Sequence, residues 1–211
     1  MKILIESQYF PSIAYFSLLA RAEEVHLDVH EHFEKQSYRN RTHIIGANQV
    51  QSLSIPVNHA GRKIPIHELQ IDYQQKWMNN HWRAIQSAYG KAPFFDFYGD
   101  YFKDEFQIRH KGLISLNQSL LTLCLKLLKL KIKLVETDVY EKTPSEGVID
   151  FRSNIHPKKS LDTLTWFQPE PYHQIFGKDF VPNMSILDLL FCTGPDALDV
   201  LYRSSNSIMN K

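Results

Sequence analysis

Three cations stand within seven residues in Phe33-Glu-Lys-Gln-Ser-Tyr-Arg-Asn-Arg41, in a chain whose formal net charge is only +1. If that segment is extended, side chains alternate between its faces, so Phe33, Lys35, Ser37, Arg39 and Arg41 share a face that carries no acid. Tyr38 and Asn40 then lie on the other face. Two guanidinium forks and one ammonium suit a phosphate or a carboxylate, because Arg offers paired donors and Lys a mobile point charge. The alternative is a solvated edge strand guarded by charge. His81 is a second candidate. It recurs with Trp77, Ile85 and Ala88 at helical spacing, which makes it either a satisfied core residue or a general base. A third group is Asp150-Phe-Arg152 followed by Asn154-Ile-His-Pro-Lys-Lys159, a basic stretch with its own histidine.

Other chemistries find no support. Glycine-rich dinucleotide and P-loop phosphate cradles are missing, as are His-Glu-x-x-His, Cys-x-x-Cys and Gly-x-Ser-x-Gly. The closely spaced His26, His30 and His32 are expected to fall across a strand end, so no metal site is assigned. Cys124 and Cys192 sit in apolar contexts without ligand spacing and read as buried thiols of a reducing compartment.

The elements that must position these residues follow from the apolar pattern. Lys2 to Glu6 reads as an interior strand, Ser12 to about Ala22 as a helix after Pro11, and Glu24 to Val29 as a second strand. Strand, helix, strand is a βαβ unit, whose ligand crevice lies beyond the carboxyl ends of the strands. That geometry puts Gln8 after the first strand and residues 30 to 35 after the second at one rim. Thr42–Ala47 and Val50–Val57 form an expected hairpin, and Ile64–Ile71 a short extended piece. Helices are expected from Gln74 to about Tyr89, from Phe94 to Phe106 and along the leucine seam from Leu113 to Leu130, with a strand near Leu134 to Thr137. The aromatic residues of the second helix suit core packing or a sugar-stacking wall. The segment from Tyr140 to Gln168 is too long for a plain connection, so it is either a lid that brings Arg152 or Lys158 to the cleft of Arg39, or a surface loop. Ser185 opens a helix that Gly194 stops.

At 211 residues, with 43% hydrophobic and 22% charged content, the chain is expected to be one α/β domain over 1–203 with a frayed tail at 204–211. An N-terminal βαβ unit feeds a mixed sheet, and a helix-rich C-terminal half packs on it. A pI of 7.8 argues against nucleic acid as a partner. The acid at position 6 and the lysines in the most apolar run argue against a leader peptide and a membrane span, which points to a cytoplasmic protein.

Several segments together resemble the WbqC-like family: Gln8-Tyr-Phe-Pro11 with Tyr15-Phe16, the stretch from Phe33 to Arg41, Trp77-x-x-x-His81, and Tyr89-x-Lys-Ala-Pro93-Phe. Phe180-x-Pro-Asn-x-Ser-Ile-Leu-Asp-Leu-Leu-Phe191 with Gly194-Pro195 completes the resemblance over nearly the whole chain. The family takes its name from bacterial surface-polysaccharide gene clusters, so the resemblance implies work on nucleotide-linked or amino sugars. The expected function is a transferase of acyl, aminoacyl or related groups in surface-glycan (O-antigen) precursor synthesis. Lys35, Arg39 and Arg41 would hold a phosphate- or carboxylate-bearing small molecule, His81 would act as general base, and Gln8, Tyr38 and Asn40 would bond the sugar. Arg152 and Lys158 would join them from the lid. An acyl carrier protein is an admissible partner, and the cofactor is left open. Two other readings stay open: a non-catalytic binder of a nucleotide-sugar or a carrier's phosphopantetheine, and, more weakly, nucleotidyl transfer, whose His-x-Gly-His motif is missing.

Overall fold

Ile3, Leu4 and Ile5 form an apolar run without alternation, as a strand covered on both faces requires, and Lys2–Glu6 (β1) is buried from Ile3 onward. The computed structural model describes residues 1–58 and 63–205. Pro11 and an extended Ser12 turn the chain into Ile13–Leu19 (α1), every residue of which is buried. Glu24–Asp28 (β2) returns parallel to β1, with Ile3 opposite Val25 and Glu6 opposite Asp28. The first βαβ unit therefore forms as its pattern dictates.

Arg41–Ile45 (β3) and Val50–Ser54 (β4) pair antiparallel as a separate hairpin. The expected extended piece at 64–71 instead contains a 3-10 turn at Ile66–Glu68. Trp77–Tyr89 (α2), Phe95–Glu105 (α3) and Leu113–Leu127 (α4) come next along the chain. Within the aromatic α3, Phe102 is fully buried while Phe97 and Tyr101 face solvent. The buried stripe of α4 includes one polar residue, Asn117. Lys133–Glu136 (β5) joins the outer edge of β2 and Val148–Asp150 (β6) the free edge of β1, both in parallel. The main sheet thus has the order β5-β2-β1-β6. Ile186–Thr193 (α5) and Ala197–Arg203 (α6) close the chain, α5 with the Ser185 hydroxyl accepting from the Leu187 amide.

The α/β architecture stands, with five of the six helices following the first βαβ unit. Its strands divide between one parallel sheet and one hairpin. The long segment after Tyr140 does not hang free as a lid, because β6 within it is hydrogen-bonded into the sheet. Nor does fraying begin at 204. Ser204 and Ser205 are buried, and the Ser204 carbonyl accepts from the Gln168 amide. Residues 206–211 of the expected tail, and 59–62, lie outside the described residues.

Candidate functional site

In a parallel sheet whose strands step to both sides of β1, the crevice opens beyond the carboxyl ends of β1 and its neighbours. Here each of those ends carries an acid: Glu6 on β1, Asp28 on β2 and Asp150 on β6. Asp28 is fully buried and shapes the turn after it. Its Oδ1 accepts from the amides of His30 and Glu31, both at 3.0 Å, which swings Glu31 back over the rim. Glu6 ties two strands together, accepting from Gln8 Nε2 at 2.7 Å and from the Ser153 amide at 2.8 Å.

Two arginines neutralise part of this charge. Arg39 is 2% exposed and grips Glu31 with both arms of its fork, Nε to Oε1 at 2.6 Å and Nη2 to Oε2 at 2.7 Å. It also reaches Glu34 at 3.3 Å and the Ser153 hydroxyl at 3.0 Å. Arg152 pairs with Asp28 at 2.7 Å and with Asp150 at 2.6 Å. Ser153 is held in the left-handed region (φ +56), a strained conformation for a residue with a side chain. Glu31, Glu34, Arg39, Asp150, Arg152 and Ser153, with Tyr140 and Lys142, line an open cleft of about 410 Å3.

The electrostatics single out Glu31. Burial pushes its carboxyl up to about 7, against the pull of Arg39, and Glu6 and Asp28 push the same way. Arg39 keeps its proton, because Glu31, Glu6 and Glu34 outweigh the cost of burying it. The arrangement holds a carboxyl whose proton affinity is raised by burial and opposed by Arg39, which engages both its oxygens, at the wall of a solvent-connected cleft. Its lining sets the carboxyls of Glu31, Glu34 and Asp150 against the cations Arg39, Arg152 and Lys142, with His32 beside them, and the buried acids Glu6 and Asp28 behind it tip the balance negative.

Most of the residues proposed from sequence lie elsewhere. The segment from Phe33 to Asn40 is a series of turns, with Gln36 at φ +61, so its cations do not share a face. Lys35 is exposed, and Arg39 is committed to carboxylates. Arg41 makes no ion pair among the described residues, and its buried Nε has no partner. Asn40 Nδ2 donates to the Ile55 carbonyl at 2.8 Å, which is a structural bond. Gln8 is buried beneath the rim on Glu6, and Tyr38 lies 3.5 Å from His43 Nδ1. Arg152 does face the same cleft as Arg39, whereas Lys158 does not line it.

His81 is not placed for catalysis. It is 5% exposed, with its ring against Trp77 and its Nδ1 2.9 Å from the Tyr9 hydroxyl. Burial pushes the imidazole down to about 4, against a main-chain hydrogen bond at Ser54. Packed among aromatic rings with Nδ1 on the Tyr9 hydroxyl, it does not line the cleft. The residues that sequence reasoning missed were Glu6, Asp28 and Glu31. Their signal was an acid closing each apolar strand, with a further one just beyond β2. Among the described residues no cluster of His, Cys, Asp and Glu is arranged to hold a metal, and no helix is long and apolar enough to cross a membrane.

Comparison with known proteins adds a family and one relative. The model of the WbqC-like protein family matches residues 6–163 and 158–200. A Mycobacterium tuberculosis protein described as "Uncharacterized protein Rv1507c" is 28% identical over 223 aligned positions, covering 94% of this chain and 96% of its own length. No solved structure matches the chain.

Proposed function

The chain belongs to the WbqC-like protein family, and on that premise we propose that it is a transferase that moves an acyl or related group onto the amino group of a sugar during surface-glycan precursor synthesis. The observation that carries the reading is Glu31, a carboxyl pushed up to about 7 at the wall of the 410 Å3 cleft. A wall rich in carboxylates favours a cationic or hydroxyl-rich ligand, so the cleft suits an ammonium group better than a phosphate.

In this mechanism the acceptor ammonium enters beside Glu34 and Asp150, whose side chains are half-exposed. Glu31 takes a proton from the nitrogen, and the freed amine attacks the donor's carbonyl carbon. The new C–N bond forms as the bond to the leaving group breaks, Glu31 passes its proton to that group, and the second proton still on the attacking nitrogen is released to the water of the open cleft. Arg39 holds Glu31 in a fixed orientation, which spares the site reorganisation during the reaction.

The test is to incubate the protein with nucleotide-linked amino sugars and acyl thioester donors and read product mass. Turnover is expected, and Glu31→Gln is expected to slow it about 10²–10⁴-fold while acceptor affinity changes little. Wild-type turnover by Glu31→Gln would remove Glu31 from the chemistry. Tight acceptor binding without turnover from any donor would favour a binding protein instead.

A further inference from the structure

Tyr140 stands in the wall of the carboxylate cleft with half of its surface open, at 53% exposed. Tyr9, Tyr15 and Tyr89 are instead fully buried, as the apolar body of such a ring favours. Val139, just before Tyr140, is exposed as well, so two apolar side chains in succession are left uncovered in the segment that follows β5. Open apolar surface at the wall of a cleft is what a ligand would cover.

One face of the Tyr140 ring is already taken. The Arg152 guanidinium lies over it, with its carbon 5.4 Å from the ring centroid. Arg152 is not free to swing aside, because Asp28 holds it at 2.7 Å and Asp150 at 2.6 Å, with only 10% of its side chain exposed. The ring is thereby steadied as a plate backed by a fixed cation, and its remaining surface is unspent.

The polar groups beside this plate have bonding capacity to spare. Asp150 is committed to Arg152, but Glu34 uses only Oε2, on Arg39 and Ser153, and its side chain is 49% exposed. Glu34 Oε1 accepts no hydrogen bond among the described residues. Lys142 and His32 line the same cleft and are exposed, and neither makes an ion pair among the described residues. A pyranose presents a C–H face that packs flat on an aromatic ring, and an edge of hydroxyls that need donors and acceptors next to it. An acyl chain would use the plate and leave the polar edge unmet, whereas a small amine would use the edge and leave the plate bare.

We propose that Tyr140 is the platform on which the sugar ring of the acceptor stacks, with Lys142 and His32 bonding its hydroxyls and Glu34 meeting its amino group. On the amino-sugar reading above, on which this assignment rests, Tyr140 is the residue that selects a pyranose over other amines.

Stacking is measurable without turnover, so the two readings fail separately. The wild-type protein is titrated with glucosamine and, in a parallel arm, with ethanolamine, an amine that has a hydroxyl and no ring, following the ring resonances of Tyr140 by NMR. Glucosamine is expected to move them in a saturable way and ethanolamine to leave them in place. Tyr140→Ala is expected to weaken glucosamine binding at least tenfold by calorimetry, and Tyr140→Phe, which keeps the plate, to hold wild-type affinity. Substitution at so exposed a position leaves the fold intact. Unmoved Tyr140 signals at tens of millimolar glucosamine overturn the platform, and so does undiminished affinity in Tyr140→Ala. Equal loss in Tyr140→Phe, or an equal response to ethanolamine, overturns stacking as the cause. Glucosamine stacked on Tyr140 with no turnover from any donor would sink the transfer reading and leave the platform standing.

Discussion

At the scale of single residues, the same side-chain types do opposite jobs depending on what surrounds them. Arg39 was an anion donor in the sequence and is a carboxylate anchor in the fold, because the turn built on Asp28 brings Glu31 within 2.6 Å of it. Removing one partner of such a buried pair leaves the other uncompensated, so Arg39→Ala should lose roughly 3–5 kcal/mol. In a chain of this size that corresponds to roughly 6–20 °C in the melting temperature. A calorimetric melt that hardly moves would show that the pair is not held in the folded protein. His81 gives a second test, with a defined sign. Its folded imidazole titrates at about 4 and its unfolded one near 6.5, so between those values the unfolded chain binds more protons. Stability from this residue is whole above pH 6.5 and is lost as pH falls through 4, with a ceiling on the order of 3 kcal/mol. Glu31 acts in the opposite direction, since its folded value near 7 exceeds the unfolded 4.5 and stability falls as pH rises between them. Comparison of wild type with His81→Gln isolates the histidine. In urea melts the stability difference between the two should shrink on going from pH 7 to 4, and parallel curves would rule the effect out.

At the scale of elements, the site depends on where strands end. The registers that set Glu6 opposite Asp28 and Leu4 opposite Asp150 bring three acids from three separated parts of the chain to one rim. The turns from Phe33 to Asn40 are then fastened from behind, by Asn117 Nδ2 donating to the Arg39 carbonyl at 2.8 Å and the Tyr9 amide to the Tyr38 carbonyl at 2.9 Å. Asn117 explains why a polar residue interrupts the apolar stripe of α4. At the other end of the chain, Gly194 stands between α5 and α6 with φ +56. A Cβ there would overlap the ring of Phe94, and the backbone conformation itself disfavours a side chain. Gly194→Ala should therefore cost roughly 2–4 kcal/mol, combining overpacking with backbone strain, as read from a denaturant midpoint. A shift below about 0.5 kcal/mol, the ordinary range of surface changes, would mean that Phe94 yields freely.

At the scale of the whole molecule, the two thiols report on integrity. Burial raises Cys124 far above the usual thiol range and pushes Cys192 up to about 12. A thiol reagent at pH 7.5 should therefore react slowly with the native protein and rapidly with both cysteines once it is unfolded. Immediate reaction of both in the native state would contradict this packing.

The βαβ start, the helices that follow it, the Ser185 and Gly194 boundaries and the position of the rim are legible in the residues alone. Those features come from local periodicity, capping chemistry and the direction of parallel strands, all of which act over a few residues. The sequence also brought Arg152 to attention. Only the tertiary structure decided which charges meet. The alternating comb assumed an extended chain, and the turns at Asp28 and Gln36 broke that assumption, sending Arg39 inward and Lys35 outward. His81 could not be told from a buried histidine, because helical spacing gives the face on which a residue lies and not whether that face meets a cleft or the aromatic rings of Tyr9 and Trp77. The proton affinity of Glu31 is likewise invisible in the sequence. It arises from burial beside Glu6 and Asp28, residues 25 and 3 positions away, and distance along the chain carries no information about that field.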